Sequence, residues 1–225
     1  MNQRFNLLVF DWDGTLMDSE ASIVACMQGA IGDLGCDPRS TDEIKNIIGL
    51  GLREAIDTLY PGSDDTFLKA MVDRYRYHFL GGRGEMAELF PGAEETIRAL
   101  SDAGYLLAVA TGKGRRGLDM VLAQTGLARY FHATRCADET FSKPHPQMLE
   151  EVMELVGAEP GETLMIGDTE YDMQMANNAR THALAVSYGV HERERLLQHD
   201  PLHCLDDIAE LTDWLAARAG YTVTN

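Results

Sequence analysis

Two aspartates at the end of an apolar run are the residues of this sequence best placed to do chemistry. The run Leu7–Phe10 shows no alternation, which is typical of a strand buried on both faces of a parallel sheet, and Asp11 and Asp13 follow it directly. Two carboxylates so close to a buried strand repel each other and lose hydration unless a cation, a shared proton or a bound substrate compensates. The pair therefore predicts a functional site, although a simple turn at Asp13-Gly14 explains the same residues.

Three later segments also carry polar residues at the ends of apolar runs or in loops. Thr111 follows one apolar run, Lys143 lies in a proline-containing loop, and Asp168 follows a further buried run. Ligands of an open parallel sheet bind outside the carboxyl ends of its strands, near the point where the strand order reverses. Each residue alone is weak evidence, because Thr-Gly, Lys-Pro and Gly-Asp are common at turns. Together with the aspartate pair they predict one shared site.

The elements that must position these residues follow an alternating pattern after residue 91. Strand-like runs occur at 105–110, 131–134, 163–166 and 182–187, and helical patterns occur at 93–103, 115–125, 146–156, 171–179, near 191–199 and at 206–219. Alternation of this kind is typical of a parallel sheet with helices on both faces. The sequence therefore predicts an α/β fold with a Rossmann-like parallel sheet, in which Leu7–Phe10 is the first strand.

Residues 17–88 differ from the rest, because they show helical periodicity and no convincing strand. Helical patterns run over 23–34, 41–59 (with glycines at 49 and 51) and from Asp64 or Asp65 to a stop at Gly81-Gly82. This block predicts an all-helical unit inserted after the first strand. The predicted organisation is a core of residues 1–16 and 89–225 with an insertion at 17–88.

Composition limits the partners of the protein. Its 225 residues include 19 Lys and Arg against 36 Asp and Glu, so the formal net charge is −17, which disfavours nucleic acid and anionic membranes as partners. A small phosphorylated metabolite is compatible with a locally positive site. The four cysteines form no CxxC pair, and no segment suits a signal peptide or a membrane span. We therefore expect reduced thiols and a cytoplasmic location.

Over essentially the whole chain, the motifs resemble those of the haloacid dehalogenase-like (HAD) hydrolase superfamily. The matching segments occur in the family's order: 11–15, Thr111, 143–144 and 167–172. The helical block after the first motif resembles the C1-type cap of the family, and the surroundings of Lys113 and Lys143 most resemble its phosphoglycolate phosphatase-like branch. Trp12 stands where leucine is commoner and is expected to point into the core.

This resemblance implies a Mg²⁺-dependent phosphatase that hydrolyses a small phosphomonoester through an aspartyl-phosphate. Asp11 would be the nucleophile, and Asp13 would protonate the leaving alcohol and then deprotonate water. The implied metal ligands are the Asp11 carboxylate, the Asp13 backbone carbonyl and the Asp168 carboxylate. Asp172, one helical turn after Asp168, would hold metal-bound waters or Lys143.

The same resemblance implies a phosphate-binding set. Thr111, the backbone N–H group of Gly112 and the Lys143 ammonium would bind phosphoryl oxygens. Arg53 follows a glycine-interrupted helical pattern and could read a substrate carboxylate or a second phosphate, although a solvent-facing helical arginine is equally consistent. Lys113 could steer an anion or simply be a surface charge.

Four other functions compete with the phosphatase. A phosphomutase of the same fold usually carries a base such as histidine soon after the first motif, and 18–22 contain none. A dehalogenase typically lacks the second acid, Asp13, and a phosphonate-cleaving enzyme would need a Schiff-base lysine, for which nothing marks Lys45 or Lys69. A non-catalytic binding or regulatory protein usually loses the nucleophile, the acid or the metal ligand, all of which are present. The sequence does not predict an oligomeric state.

Overall fold

The computed structural model describes residues 5–81 and 87–219. The strands are β1 (Leu7–Phe10), β2 (Met17–Asp18), β3 (Glu88–Leu89), β4 (Leu106–Thr111), β5 (Ala133–Cys136), β6 (Thr163–Gly167), β7 (His182–Val186) and β8 (Cys204–Leu205). The helices are α1 (Glu20–Leu34), α2 (Thr41–Lys45), α3 (Leu52–Leu59), α4 (Asp65–Leu80), α5 (Ala93–Asp102), α6 (Arg115–Thr125), α7 (Gln147–Val156), α8 (Glu170–Asn178), α9 (Arg193–Leu197) and α10 (Glu210–Ala219).

Six of the strands form one parallel sheet in the order β5-β4-β1-β6-β7-β8. β1 lies inside it, paired with β4 on one side and with β6 on the other. The strand order reverses at β1, because the chain builds β4 and β5 on one side and then crosses to β6. The sheet therefore has its switch point, where ligands of such sheets bind, at the end of the strand that precedes Asp11.

The side chains of β1 alternate between the two faces of the sheet, and both faces are covered. Leu8 and Phe10 pack with residues of α5, α6 and α10, whereas Leu7 and Val9 pack with residues of α7, α8 and α9. All four are fully buried, and burial of such a side chain stabilises the fold by about 1.5–3 kcal/mol. The predicted Rossmann-like α/β fold is confirmed. Trp12 is fully buried in the first of these clusters, as expected.

Helices α1 to α4 pack around a separate apolar core that includes Ile56 and Met71. Local signals in the sequence set their ends. The Ser40 side chain and Glu43 form a capping box at the start of α2, and the Asp64 carboxylate accepts a hydrogen bond from Phe67 N (2.8 Å) at the start of α4. These helices form a compact unit beside the sheet.

Two short strands correct the prediction that no strand lies between 17 and 88. Met17–Asp18 pairs antiparallel with Glu88–Leu89 where the chain leaves and rejoins the sheet domain. β8 was also missed, and β5 begins at Ala133 rather than at residue 131. Strands of two residues have no detectable periodicity, since only pairing across the chain defines them.

The predicted division into core and insertion stays a prediction. Residues 1–4, 82–86 and 220–225 lie outside the described residues, and Gly82, at the predicted end of the third helical pattern, is among them. None of the helices in the described ranges has the length and apolarity needed to span a membrane.

Candidate active site

The three neighbouring strands β4, β1 and β6 bring three predicted site residues to one edge of the sheet. Asp11 directly follows β1, Thr111 ends β4, and Asp168 directly follows β6. Phe10 is in register with both Val109 and Ile166, so the strands end at nearly the same level. The three site residues are at most 1% exposed. The convergence predicted from the strand ends is therefore present in the fold.

Lys143 lies between two carboxylates in this buried place. Its Nζ is 2.9 Å from Asp11 Oδ1 and 2.6 Å from Asp172 Oδ1. Burial by itself lowers the pKa of Lys143, but the charges of Asp11 and Asp172 outweigh burial and raise that pKa above its usual value. The lysine is therefore charged at neutral pH.

The negative charge of the Asp11 carboxylate is only partly compensated by this lysine. Burial raises the pKa of Asp11 to about 7, although Lys143 acts in the opposite direction. Neither carboxylate oxygen accepts a well-aligned hydrogen bond from the described residues, so the Lys143 contact is an ion pair only. Burial also raises the pKa of Asp168 well above its usual value, and the charges of Asp11 and Asp172 add to the effect. Further positive charge would stabilise both ionised carboxylates.

Asp11, Asp168 and Asp172 offer oxygens that lie within 4.8 Å of one another, so they form a candidate metal site. Gly14 and Gly189 keep the space beside Asp168 free, because an added Cβ would lie 2.1 Å and 2.4 Å, respectively, from its Oδ2. An all-oxygen donor set suits hard cations such as Mg²⁺. The unpartnered oxygens of Asp11 make these residues fit such an ion.

Asp172 differs from the other two carboxylates because both of its oxygens already have partners. Its Oδ1 receives the Lys143 ammonium at 2.6 Å, and its Oδ2 accepts from Thr169 N (3.1 Å) and Thr169 Oγ1 (2.7 Å). This capping box starts α8 and fixes the carboxylate. Of the two contacts predicted for Asp172, the structure shows the one with Lys143.

Asp168 is also held on both oxygens, but by neutral donors. Thr15 Oγ1 donates to Oδ1 (2.8 Å) and Val190 N donates to Oδ2 (2.9 Å). Such donors orient a carboxylate without neutralising its charge, which is what a metal ligand requires.

Asp13 is held through one oxygen by two residues. Ser19 Oγ donates to Oδ1 (2.6 Å), and Lys113 Nζ lies 3.0 Å from the same atom. The Lys113 ammonium also lies 4.6 Å from the centre of the Phe79 ring on α4. Sequence reasoning left Lys113 open as a surface charge and missed Ser19 as a partner. The described residues place no hydrogen-bond donor on Asp13 Oδ2, which leaves this oxygen available to a ligand in the cavity.

The helical unit sits directly on the loop that follows Thr111. A Cβ on Gly112 would lie 2.4 Å from Leu50 O and 2.5 Å from Gly49 O, so only glycine allows this approach. Next to it, Gly51 N donates to Ser142 Oγ (2.7 Å), beside Lys143. Neither contact was predicted, although the glycines in the interrupted helical pattern were a signal for a loop at the site.

Between the sheet domain and the helical unit lies a cavity of about 890 Å³. Asp11, Asp13 and Thr111 line it from the sheet side, and residues of α1, α3 and α4 line it from the other side. Arg53 lines the cavity as well, but it pairs with Asp65 and its side chain is 57% exposed. Arg53 therefore lies at the cavity and also faces solvent, and its predicted role in binding a substrate anion stays a prediction.

Comparison with known proteins identifies the family. The sequence model of the haloacid dehalogenase-like hydrolase family matches residues 8–186 of this chain. A protein of Dickeya dadantii named probable phosphatase IndB is 34% identical, with 91% of each chain covered. A phosphoglycolate phosphatase of Agrobacterium fabrum is 31% identical over 92% of this chain and 90% of that protein.

Solved structures agree on the fold. A haloacid dehalogenase-like family hydrolase of Streptococcus pneumoniae superposes with a TM-score of 0.81 at 22% identity, covering 93% of this chain and 98% of that one. The match to the family model spans most of the strands and all the predicted motifs. The chain therefore belongs to the haloacid dehalogenase-like hydrolases, among the phosphatase-like members of that family.

Proposed function

We propose that this protein is a Mg²⁺-dependent phosphatase that hydrolyses a small phosphomonoester through an aspartyl-phosphate on Asp11. A phosphatase-like hydrolase of this family acts on phosphoric monoesters, and two of its relatives are named as phosphatases. The observation that carries the finer proposal is the state of Asp11. It is a buried carboxylate on the cavity wall, both its oxygens lack hydrogen bonds from the described residues, and Lys143 Nζ lies 2.9 Å away.

Asp11 and Asp13 then divide the two halves of the reaction. An Asp11 oxygen attacks phosphorus while the bond to the ester oxygen breaks, and Asp13 gives its proton to the leaving alcohol. In the second half Asp13 takes a proton from water, and this water attacks the phosphorus of the aspartyl-phosphate. Inorganic phosphate leaves and the Asp11 carboxylate is restored. Ser19 and Lys113 hold Asp13 Oδ1, so that Oδ2 faces the ester oxygen.

The phosphoryl group is bound by fixed donors. The Thr111 hydroxyl, the Gly112 backbone N–H and the Lys143 ammonium stabilise its negative oxygens, and their positions are set before the substrate arrives. Mg²⁺, held by the Asp11 and Asp168 carboxylates and the Asp13 backbone carbonyl, would supply neutralising charge during the transfer.

Helices α1 to α4 act as the cap in this proposal. The close approach of Gly49 and Leu50 to Gly112 covers the phosphate site, which keeps bulk water from the reacting atoms. A covered cavity admits a small phosphorylated metabolite rather than a phosphoprotein. The net charge of −17 argues against nucleic acid and anionic membranes as partners, and we propose a cytoplasmic location.

The test is p-nitrophenyl phosphate turnover with and without Mg²⁺. We expect release of p-nitrophenol that EDTA removes and that Asp11→Asn abolishes. Asp102→Asn is the matched control, because Asp102 is an exposed aspartate at the end of α5. Full activity of Asp11→Asn would contradict the proposal. Isomerisation of glucose 1-phosphate faster than phosphate release would favour the phosphomutase instead.

A further inference from the structure

We infer that the natural substrate carries a leaving group much larger than a two-carbon acid and partly apolar, with a polar atom near the ester oxygen that hydrogen-bonds the Tyr75 hydroxyl. This inference rests on the proposed function, and it specifies the substrate class of the same site.

The size of the cavity is the first observation. Its volume of about 890 Å³ lies near the upper end of the range for small-molecule sites, and such cavities bury most of a ligand the size of a drug molecule. The phosphoryl group and a two-carbon acid would fill only the part next to Asp11 and Asp13. Most of the cap side would then remain without a ligand.

The chemistry of the cap side is the second observation. Its wall is formed largely by apolar side chains: Ile23, Met27, Ile47, Ile48, Leu52 and Val72. Burying apolar surface against this wall is favourable, whereas a substrate carboxylate placed there would lose its hydration without a partner.

The charges at the rim do not favour a second anion. Arg53 pairs with Asp65, so a substrate carboxylate would have to displace an existing partner. Lys113, just before α6, already pairs with Asp13. The remaining charged lining residues on the cap side and around α6 are of both signs: Lys69, Arg76, Arg116, Glu54, Asp73 and Asp138. Their formal charges cancel, which favours a leaving group that is neutral there.

Tyr75 on α4 is the third observation, because it offers a donor inside this apolar wall. Its ring stacks on Phe79, with ring centres 6.1 Å apart, and it lines the cavity. Tyr75 is half-buried, and no other described residue hydrogen-bonds its hydroxyl, so this donor is available to a ligand in the cavity. Burial raises the pKa of Tyr75 well above 10.0, and the charge of Asp13 adds to the rise.

Two consequences follow from this environment. The Tyr75 hydroxyl remains protonated and can donate. Its ring lies near Asp13, because Phe79, on which it stacks, contacts the Lys113 ammonium that pairs with Asp13. Since Asp13 is the acid that faces the ester oxygen, the substrate atom that Tyr75 binds must lie near the ester oxygen. Tyr75 thus acts as a specificity residue and takes no part in proton transfer.

The first experiment compares three phosphomonoesters. Ethyl phosphate and 2-phenylethyl phosphate differ in the size of the leaving alcohol, and 2-phosphoglycolate differs from ethyl phosphate by a carboxylate on it. We expect kcat/KM for 2-phenylethyl phosphate to exceed the other two values by about tenfold or more. Calorimetry provides a readout without turnover: 3-phenylpropylphosphonate should bind about tenfold more tightly than propylphosphonate.

The second experiment tests Tyr75 with 2-hydroxy-2-phenylethyl phosphate, which adds a hydroxyl next to the ester carbon. In Tyr75→Phe, the ratio of its kcat/KM to that of 2-phenylethyl phosphate should fall about tenfold, mainly through KM. Tyr77→Phe on the same helix is the control. Because Tyr77 is 56% exposed, this substitution should leave the ratio of the two kcat/KM values unchanged.

Two results would overturn the inference while leaving the phosphatase intact. One is a kcat/KM for 2-phosphoglycolate equal to or above that for 2-phenylethyl phosphate. The other is an equal loss for both phenyl substrates in Tyr75→Phe. Absence of phosphate release from every ester, with p-nitrophenyl phosphate included, would overturn the proposed function as well.

Discussion

The Asp172 carboxylate lies 2.6 Å from the Lys143 ammonium, and both side chains are fully buried. Because the other Asp172 oxygen is bound by Thr169 at the start of α8, the carboxylate is rigid and the lysine is held in one position beside Asp11. A flexible lysine is thereby turned into a fixed positive charge next to the Asp11 carboxylate. Asp172 positions Lys143 and need not touch the phosphoryl group.

Asp172→Asn keeps the shape of this side chain and removes its charge. We expect kcat/KM for p-nitrophenyl phosphate to fall about 10- to 100-fold, because Lys143 loses the partner that orients it. Steady-state kinetics at saturating Mg²⁺ measure the effect, with Asp102→Asn as the control. Activity within about twofold of the wild-type value would show that Asp11 alone orients the lysine.

Mg²⁺ should stabilise the folded protein, because positive charge relieves the burial of ionised Asp11 and Asp168. At free Mg²⁺ of about 100 times Kd the expected gain is about 2.7 kcal/mol, seen as a rise in Tm. Asp168→Asn should lose most of this rise, whereas Asp102→Asn should keep it. An equal rise in Asp168→Asn would place the ion elsewhere.

The contact between Gly112 and the cap predicts a selective effect of one methyl group. Gly112→Ala would bring a Cβ to 2.4 Å from Leu50 O, so the cap must shift away from the phosphate site. We expect kcat/KM to fall about tenfold or more, since small displacements of reacting groups cost large factors in rate.

Gly32→Ala on α1 is the matched control for this substitution. No atom lies within 4 Å of a Cβ placed there, so the change should raise the free energy of unfolding by about 0.5–1 kcal/mol and leave kcat/KM unchanged. Urea unfolding and kinetics on both variants separate the two effects. An equal kcat/KM in Gly112→Ala and Gly32→Ala would mean that the cap tolerates a methyl group at Gly112.

Stability should depend on pH through Glu139, in the loop before Lys143. Hydrogen bonds from Arg115 hold the pKa of Glu139 below its usual value of 4.5, against a smaller opposing effect of burial. A carboxyl whose pKa is lower when folded contributes stability above its unfolded pKa, and this contribution disappears as the pH falls through the folded pKa.

Glu139→Gln should therefore lower the free energy of unfolding at pH 7 and have little effect at acidic pH. The expected loss is about 1 kcal/mol or less, because solvent screens this partly exposed ion pair. Urea unfolding at pH 7 and below pH 4 measures it, with Glu154→Gln, an exposed residue of α7, as the control. A constant difference at both pH values would rule out the ionic origin.

The amino-acid pattern alone predicts where the candidate site lies. Buried runs that end in Asp11, Thr111 and Asp168 predict one site, because parallel strands end at a common edge whatever the details of packing. Lys143 was counted with this site from its proline-containing loop, but only the resemblance implied its role, since a lysine in a loop carries no periodic signal. The helices of the insertion were equally readable, because local periodicity and capping residues define them.

The partners of these residues could be read only from the three-dimensional fold. Ser142 and Gly51 are 91 residues apart, and no local pattern connects them. The same is true of Lys113, which became a partner of Asp13, and of Arg53, which paired with Asp65. The contact of Gly51 with Ser142 depends on how the helical unit sits on the sheet, which is set by surfaces that exist only after both parts have folded. The other two pairs form within one part, when segments separated in the chain pack together.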